Sequence, residues 1–403
     1  MTMSRIASWV CQSIPLAIVV FACACTGAVF SQLAVGLSPV NPPGSKKLTV
    51  DDSSSDALPL DAELAQHGEL VTSLAFHPKK SQLATLDRNG DVRIWDTKGW
   101  KTVRRLRSFS SEHGAICYSR NGRLLAVGGD GGITIWSVRG WKQIREIPLD
   151  GDRFVSTSTK KPLDLDSVRA LRFSPDGRQL FAGGNSKTIY SWHTKDWSRA
   201  PAVRGHRPMK NSPQPDVPID KLPPGTLPPG VTLKDANLNP CTIEFLEFSA
   251  KSKALISGGL THQLRLWRWR QDDWHAYAKH AERLAPAYPS DRMDARVSRD
   301  GKLLAVAVGD GRIELIETKQ GKLTHDFEAN PGTFVTSVEF SRDGQKIYAT
   351  GDGLKTWNAE TKTLLKRQPL AGTGRMIRRS HDGKLLAVSC EDQVVRVFRT
   401  GGG

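Results

Sequence analysis

The sequence predicts an all-β fold, a seven-bladed propeller with four antiparallel strands per blade, its ring closed by an N-terminal outer strand. Three observations carry this expectation. A strand ending in an aromatic recurs in one register, a hairpin turn recurs ahead of it, and the last blade runs out of chain before its outer strand.

The register comes first. Trp95, Trp136, Trp192, Trp267, Ile316, Trp357 and Phe398 occupy it, and their successive separations are 41, 56, 75, 49, 41 and 41 residues. A base period of 41 with three stretched intervals fits a repeat of four strands.

The turns come next. Ser119-Arg120-Asn121-Gly122, Ser174-Pro175-Asp176-Gly177, Ser298-Arg299-Asp300-Gly301, Ser341-Arg342-Asp343-Gly344 and Ser380-His381-Asp382-Gly383 share one pattern. Asn-Gly and Asp-Gly between apolar runs mark tight hairpins, because both residues tolerate positive φ. The runs that follow, such as Leu124-Leu125-Ala126-Val127 and Leu385-Leu386-Ala387-Val388, suit strands buried on both faces. Gly128-Gly129 and Gly183-Gly184 read as tight turns at strand ends.

Closure follows from counting strands. After Phe398 only Arg399, Thr400 and three glycines remain, too few for an outer strand. Residues 58–64, ahead of the first inner strand, supply the missing piece and remove an open edge.

At this point the chain resembles a known family. Asn89-Gly90-Asp91-Val92-Arg93-Ile94-Trp95-Asp96 is similar to the end of a WD40 repeat, as is Asp130-Gly131-Gly132-Ile133-Thr134-Ile135-Trp136. Asp392-Gln393-Val394-Val395-Arg396-Val397-Phe398 is a diverged copy, and the resemblance covers about residues 58–400. It implies a hydrogen-bonded tetrad of a Gly-His histidine, a turn aspartate, a hydroxyl and the Trp inside each blade. The sequence departs from that pattern. Gly205-His206 is the only Gly-His pair, His67-Gly68 and His113-Gly114 are reversed, and Asn89 and Ser186 stand where the turn aspartate is expected in blades one and three.

The ends of the chain bear on compartment. Arg5 is the only charge before Lys46, and Ile14 to Ala22 forms an apolar core of signal-peptide length, with small residues at Ala22, Ala24, Gly27 and Ala28. Extended to Leu37, the same stretch is long enough to span a bilayer. Residues 1–37 are therefore expected to be a cleaved signal peptide or an N-terminal membrane anchor, and both export the rest of the chain to a periplasmic or other extracytoplasmic space. Phe21 fits a lipidation site at Cys23 badly. Residues 38–57, with Pro39, Pro42, Pro43 and an Asp/Ser run, read as a linker. Residues 58–400 make up the propeller, with a Pro-rich insertion at 207–241.

Composition excludes several classes. Of 403 residues, 38% are apolar and 24% charged, which permits a packed core, and a mean hydropathy of −0.38 excludes a polytopic membrane protein. Six cysteines cannot staple a chain of this size, and no Cys-x-x-Cys pair exists. Removing the leader leaves Cys117, Cys241 and Cys390, expected to be buried and inert. The formal charge of +16 is spread over small clusters, favouring a generally basic surface over a nucleic-acid stripe.

No catalytic, cofactor-binding or metal-binding residue is assigned, since no nucleophile elbow, zinc motif or phosphate loop occurs. A second set, Trp100, Trp141, Trp197 and Trp274, shortly follows the first. It reads as structural cover for each outer strand, with an exposed stacking rim as the rival. The expected function is a non-enzymatic protein-interaction scaffold. The alternative is a hydrolase or lactonase with a metal held by carboxylates in the central channel. A protein partner is expected, an anionic envelope polymer or anionic lipid is a second option, and nucleic acid is disfavoured. Membrane contact falls to the N-terminal segment if uncleaved. The extra length lies between outer and inner strands at 150–167, 207–241 and 282–291, and these loops carry the candidate partner-binding residues Lys160, Lys161, His206, Arg207, Lys210, Lys221, Lys234 and Arg283.

Overall fold

The alternation of apolar residues that marks the repeats becomes seven four-stranded antiparallel sheets in the computed structural model. It describes residues 57–148, 154–155, 162–163, 167–204, 242–259, 264–270, 273–280, 294–308, 311–330 and 334–401. The expected leader, most of the linker and all eight candidate partner-binding residues lie outside these. Among the described residues every regular element is a strand, and no helix is long and apolar enough to cross a membrane.

The inner strands are Val71–Phe76, Ala115–Tyr118, Val168–Phe173, Ile243–Ser249, Asp294–Val297, Val335–Phe340 and Gly374–Arg379. Each packs beside the next, and the last packs beside the first, which closes the ring. Within a blade the chain runs inner, second, third and outer strand in order. Six blades are built of consecutive strands. The seventh takes its outer strand from the start of the propeller: Leu60–Leu64 pairs antiparallel with Val395–Arg399. The expected closure is therefore present, running from Leu60 opposite Phe398 to Leu64 opposite Val395 with a bulge between Leu60 and Ala62.

The aromatic register is structural. Trp95 lies opposite Leu83, Trp136 opposite Leu125, Trp192 opposite Leu180 and Trp267 opposite Leu255. Ile316, Trp357 and Phe398 face Leu304, Ile347 and Leu386 in the same way. Second strands such as Leu124–Gly129 are buried almost throughout, whereas the outer strand Lys142–Pro148 is almost wholly exposed. The apolar contacts lie between neighbouring blades, each cluster drawing residues from two of them, as Trp95 and Leu83 of blade one do with Met376 and Val397 of blade seven.

One sequence expectation changes. Gly128 and Gly183 do not serve turns; a Cβ on Gly128 would lie 2.5 Å from Val168 Cγ1, and one on Gly183 2.6 Å from Ile243 Cγ2. They are glycine because the inner strand of the next blade packs there. The connection between Pro148 and Val168 contains a further hairpin, Phe154–Val155 paired with Pro162–Leu163.

The second tryptophans behave as covers. Trp100, Trp141 and Trp197 sit at φ of 52°, 54° and 61°, where the chain turns into the outer strand. This left-handed conformation is uncommon for a large residue. Each indole is half-buried against apolar residues shared with the preceding blade, and that packing holds the turn in place.

Candidate functional site: the central channel

Alternation along the inner strands sends every second side chain toward the axis, where the seven blades enclose a cavity of about 330 Å³. Blades one and two contribute Ser73, Leu74, Ala115 and Cys117. Blades three to seven contribute Arg169, Arg172, Glu244, Glu247, Asp294, Arg296, Glu339, Arg378 and Arg379.

These charges are matched across blades. Arg169 of blade three donates from Nη1 to Glu244 Oε1 of blade four at 2.8 Å. Arg172 and Arg296, from the blades on either side, both pair with Glu247. Arg296 Nε also lies 3.6 Å from Glu339 Oε2. Arg378 of blade seven reaches past blade six and grips Asp294 with two hydrogen bonds, 2.8 Å and 3.1 Å long. Ser337 of the intervening blade donates to Asp294 and accepts from the Ile377 amide. One laced set of ion pairs thus joins five blades at the axis.

Burial sets the electrostatics. Desolvation, then repulsion from Arg296, lowers the Arg172 guanidinium to about 10. Burial raises the Glu339 carboxyl above its ordinary range, against the opposing pull of Arg296 and Arg379. Burial also pushes the Cys117 thiol up to about 12 and Cys390 to about 11, so both are unreactive near neutrality. Both are free and buried, as expected; Cys241 lies outside the described residues. Each channel carboxylate has an arginine beside it, an arrangement that opposes entry of a metal cation.

A second acidic cluster lies inside blade one. Donor atoms of His67, Asp87 and Asp91 lie within 4.8 Å of one another. All three are engaged by the protein itself. His67 Nδ1 is 2.9 Å from Asp87 Oδ2, and its Nε2 is 2.6 Å from Thr85 Oγ1, which accepts from Trp95 Nε1 at 2.9 Å. Asp87 Oδ1 also accepts from the amides of Asn89 and Asp91, while Asp91 is paired with Arg93 and Arg105. This corrects the expectation for blade one: the turn aspartate is Asp87, not Asn89, and the tetrad is complete. A hydroxyl recurs in that position only in blade four, where Ser257 accepts from Trp267 Nε1 at 2.8 Å.

Comparison with known proteins agrees with this geometry. The family model described as "WD domain, G-beta repeat" matches residues 60–96, 102–137 and 163–193. Each match starts ahead of an inner strand and ends in a third strand, and the first begins on the closing strand of blade seven. A second, "Anaphase-promoting complex subunit 4 WD40 domain", matches residues 294–343. The chain belongs to the WD40-repeat β-propellers.

Among curated relatives, rat (Rattus norvegicus) apoptotic protease-activating factor 1 is 26% identical over 166 residues, which is 40% of this chain and 12% of that protein. The mouse (Mus musculus) periodic tryptophan protein 2 homolog is 30% identical over 145 residues, 33% of this chain and 15% of that protein. The Drosophila melanogaster protein LST8 homolog is 26% identical over 129 residues, 32% of this chain and 39% of that protein. The WD40 propeller thus matches a minor part of each relative's length.

Sequence reasoning did not find the channel charges of this WD40 chain. Arg169 and Glu244 are 75 residues apart, and Asp294 and Arg378 are 84 apart, so no local spacing announces them. The available signal was a charged residue two places before the turn serine in five successive inner strands: Arg172, Glu247, Arg296, Glu339 and Arg378.

Proposed function

We propose that this WD40 propeller is an exported, non-enzymatic scaffold that captures a protein partner on the face formed by its outer-to-inner connections. One observation carries the reading. Three successive blades carry extra chain at the same kind of connection: Pro148 to Val168, Arg204 to Ile243 and His280 to Asp294. The corresponding connections elsewhere are only residues 65–70, 108–114, 329–334 and 369–373. In an alternating antiparallel blade these connections all leave from one side of the ring. Long loops on a rigid frame are where binding concentrates.

Lys160, Lys161, His206, Arg207, Lys210, Lys221, Lys234 and Arg283 lie on these three connections, so an acidic partner surface is the natural counterpart. Nine prolines between Pro208 and Pro240 favour an extended, stiff loop. The lone Arg5 followed by the apolar Ile14 to Ala22 supports export. The "Anaphase-promoting complex subunit 4" family is by its name a component of an assembly, in keeping with a scaffold.

The test replaces residues 208–240 with a short Gly-Ser linker in the full chain. Cross-linked partners are then recovered from the cell's own exported fraction. The melting temperature should hold and the partner should be lost. Retention of the partner, or recovery of the protein in the cytoplasm, overturns the reading.

A further inference from the structure

On the other side of the ring, between blades four and five, a cleft of about 420 Å³ is lined by Lys251, Ser252, Lys253, Arg268, Trp269 and Lys319. The described residues lining it include four cations and no carboxylate. Its elements are the inner-to-second turn and third strand of blade four and the third-to-outer turn of blade five. These turns leave the ring opposite the outer-to-inner connections.

The local sequence departs from the repeat here. In five blades the second residue after the turn serine presents an oxygen that accepts a hydrogen bond from the serine hydroxyl. Ser119 donates to Asn121 at 2.9 Å, Ser298 to Asp300 at 2.7 Å and Ser380 to Asp382 at 2.6 Å, with Ser174–Asp176 and Ser341–Asp343 alike. In blade four that position is Lys251, so a cation stands where the turns of blades three, five, six and seven hold an aspartate. The glycine of the turn is replaced as well, by Ser252, and Lys253 takes the positive φ, 49°. Ser249, relieved of its usual acceptor, donates instead to Gly301 O at 2.7 Å across the blade boundary.

Two further observations point to a ligand. Ser252 is only 7% exposed, and its hydroxyl has no hydrogen-bond partner among the described residues. Trp269, by contrast, is 43% exposed, its ring held by an edge contact to Trp274 at 5.5 Å. A buried hydroxyl without a partner costs free energy that an oxyanion would recover. An exposed, immobilised indole beside cations offers a stacking surface at little entropic cost.

We propose that this cleft binds a small phosphorylated ring compound. The phosphate meets Lys251, Lys253, Lys319 and the Ser252 hydroxyl, and the ring lies on Trp269. Sugar phosphates and nucleoside monophosphates share this chemistry.

The purified full chain is titrated calorimetrically with inorganic phosphate, glucose, glucose 6-phosphate and adenosine monophosphate at low salt. At least one phosphorylated ring should bind about tenfold or more tightly than both inorganic phosphate and glucose, and added salt should weaken it. Whichever of the two phosphorylated rings binds identifies the source. Lys251→Asp restores the residue that four other blades carry, and is expected to keep the fold while weakening binding about tenfold or more. Lys319→Gln, on a different blade, should weaken it in the same direction. Trp269→Ala should abolish the advantage of the ring over inorganic phosphate. The proposal is overturned if no phosphorylated ring binds at millimolar concentration, if glucose binds equally well, or if both lysine variants bind like the parent.

Discussion

The indole of Trp100 donates from Nε1 to Asp61 Oδ2 over 2.8 Å, tying the residue that opens the outer strand of blade one to the strand that completes blade seven. Asp61 also pairs with Arg399, so it joins both ends of the propeller to the neighbouring blade. Ring closure therefore rests on side chains as well as on the antiparallel ladder.

Asp61→Ala removes both contacts and is expected to cost about 1 kcal/mol, most of it from the indole bond because Arg399 is largely exposed. Deleting residues 58–64 uncovers a whole strand edge and should lower the melting temperature by several degrees. Thermal denaturation followed by circular dichroism checks both. An unchanged melt for the deletion would refute closure by this strand.

A second test concerns the tetrad. Thr85→Val strips the hydroxyl shared by His67 and Trp95 and should destabilise the chain by about 1–3 kcal/mol. The converse change is informative. Trp357 Nε1 is buried without a partner among the described residues, and Ala349 occupies the position that Thr85 and Ser257 hold in their blades. Ala349→Ser should then stabilise by about 0.5–1.5 kcal/mol, read as a higher urea midpoint at constant slope. A lower midpoint would show that the hydroxyl does not reach the indole.

Much of the ring was legible because its signals are local. Trp95 and Leu83 are a hairpin apart, and the shortage of chain after Phe398 needs only counting. Asp87 was missed for a local reason too. Asp87-Arg88-Asn89-Gly90-Asp91 offers several side chains that could cap the turn, and only the position of His67 selects among them. The channel and the cleft were illegible for a different reason. Asp294 meets Arg378, and Lys251 comes to line one cleft with Lys319, only after the ring has closed around them.

Acid should loosen the contact between blades one and two. His77 accepts from the amides of Lys79 and Lys80 at Nδ1, 3.0 Å and 2.7 Å away, so its proton sits on Nε2, which donates to Gly122 O at 3.0 Å. Protonating Nδ1 would turn an acceptor against two donors. Burial lowers the His77 pKa below its ordinary 6.5, partly offset by the bond to Gly122, and Lys80 and Lys79 add to the lowering. The native state thus binds a proton less readily than the unfolded chain. This contribution is complete above the ordinary pKa and is lost as pH falls through the lowered one. Urea midpoints measured from pH 8 to pH 5 should decline at the acid end, and His77→Gln should show a shallower decline. Equal acid slopes for the two proteins would remove His77 from the account.

The last test asks whether the channel charges hold the ring together. Arg378 and Asp294 are both largely buried, and their two-bond pair spans blades five and seven through Ser337. A buried pair adds little over an apolar replacement, but removing one partner strands a charge in a low-dielectric site. Arg378→Met should therefore cost about 3 kcal/mol. Adding Asp294→Asn to that variant removes the stranded charge while leaving an oxygen to accept from Ser337, and should recover a large part of the loss. Chemical denaturation of the parent, the single and the double variant measures the difference directly. A loss in the single variant that the second change does not relieve would mean that Arg378 acts by packing. A single variant as stable as the parent would mean that the channel charges are present for a ligand and not for the frame.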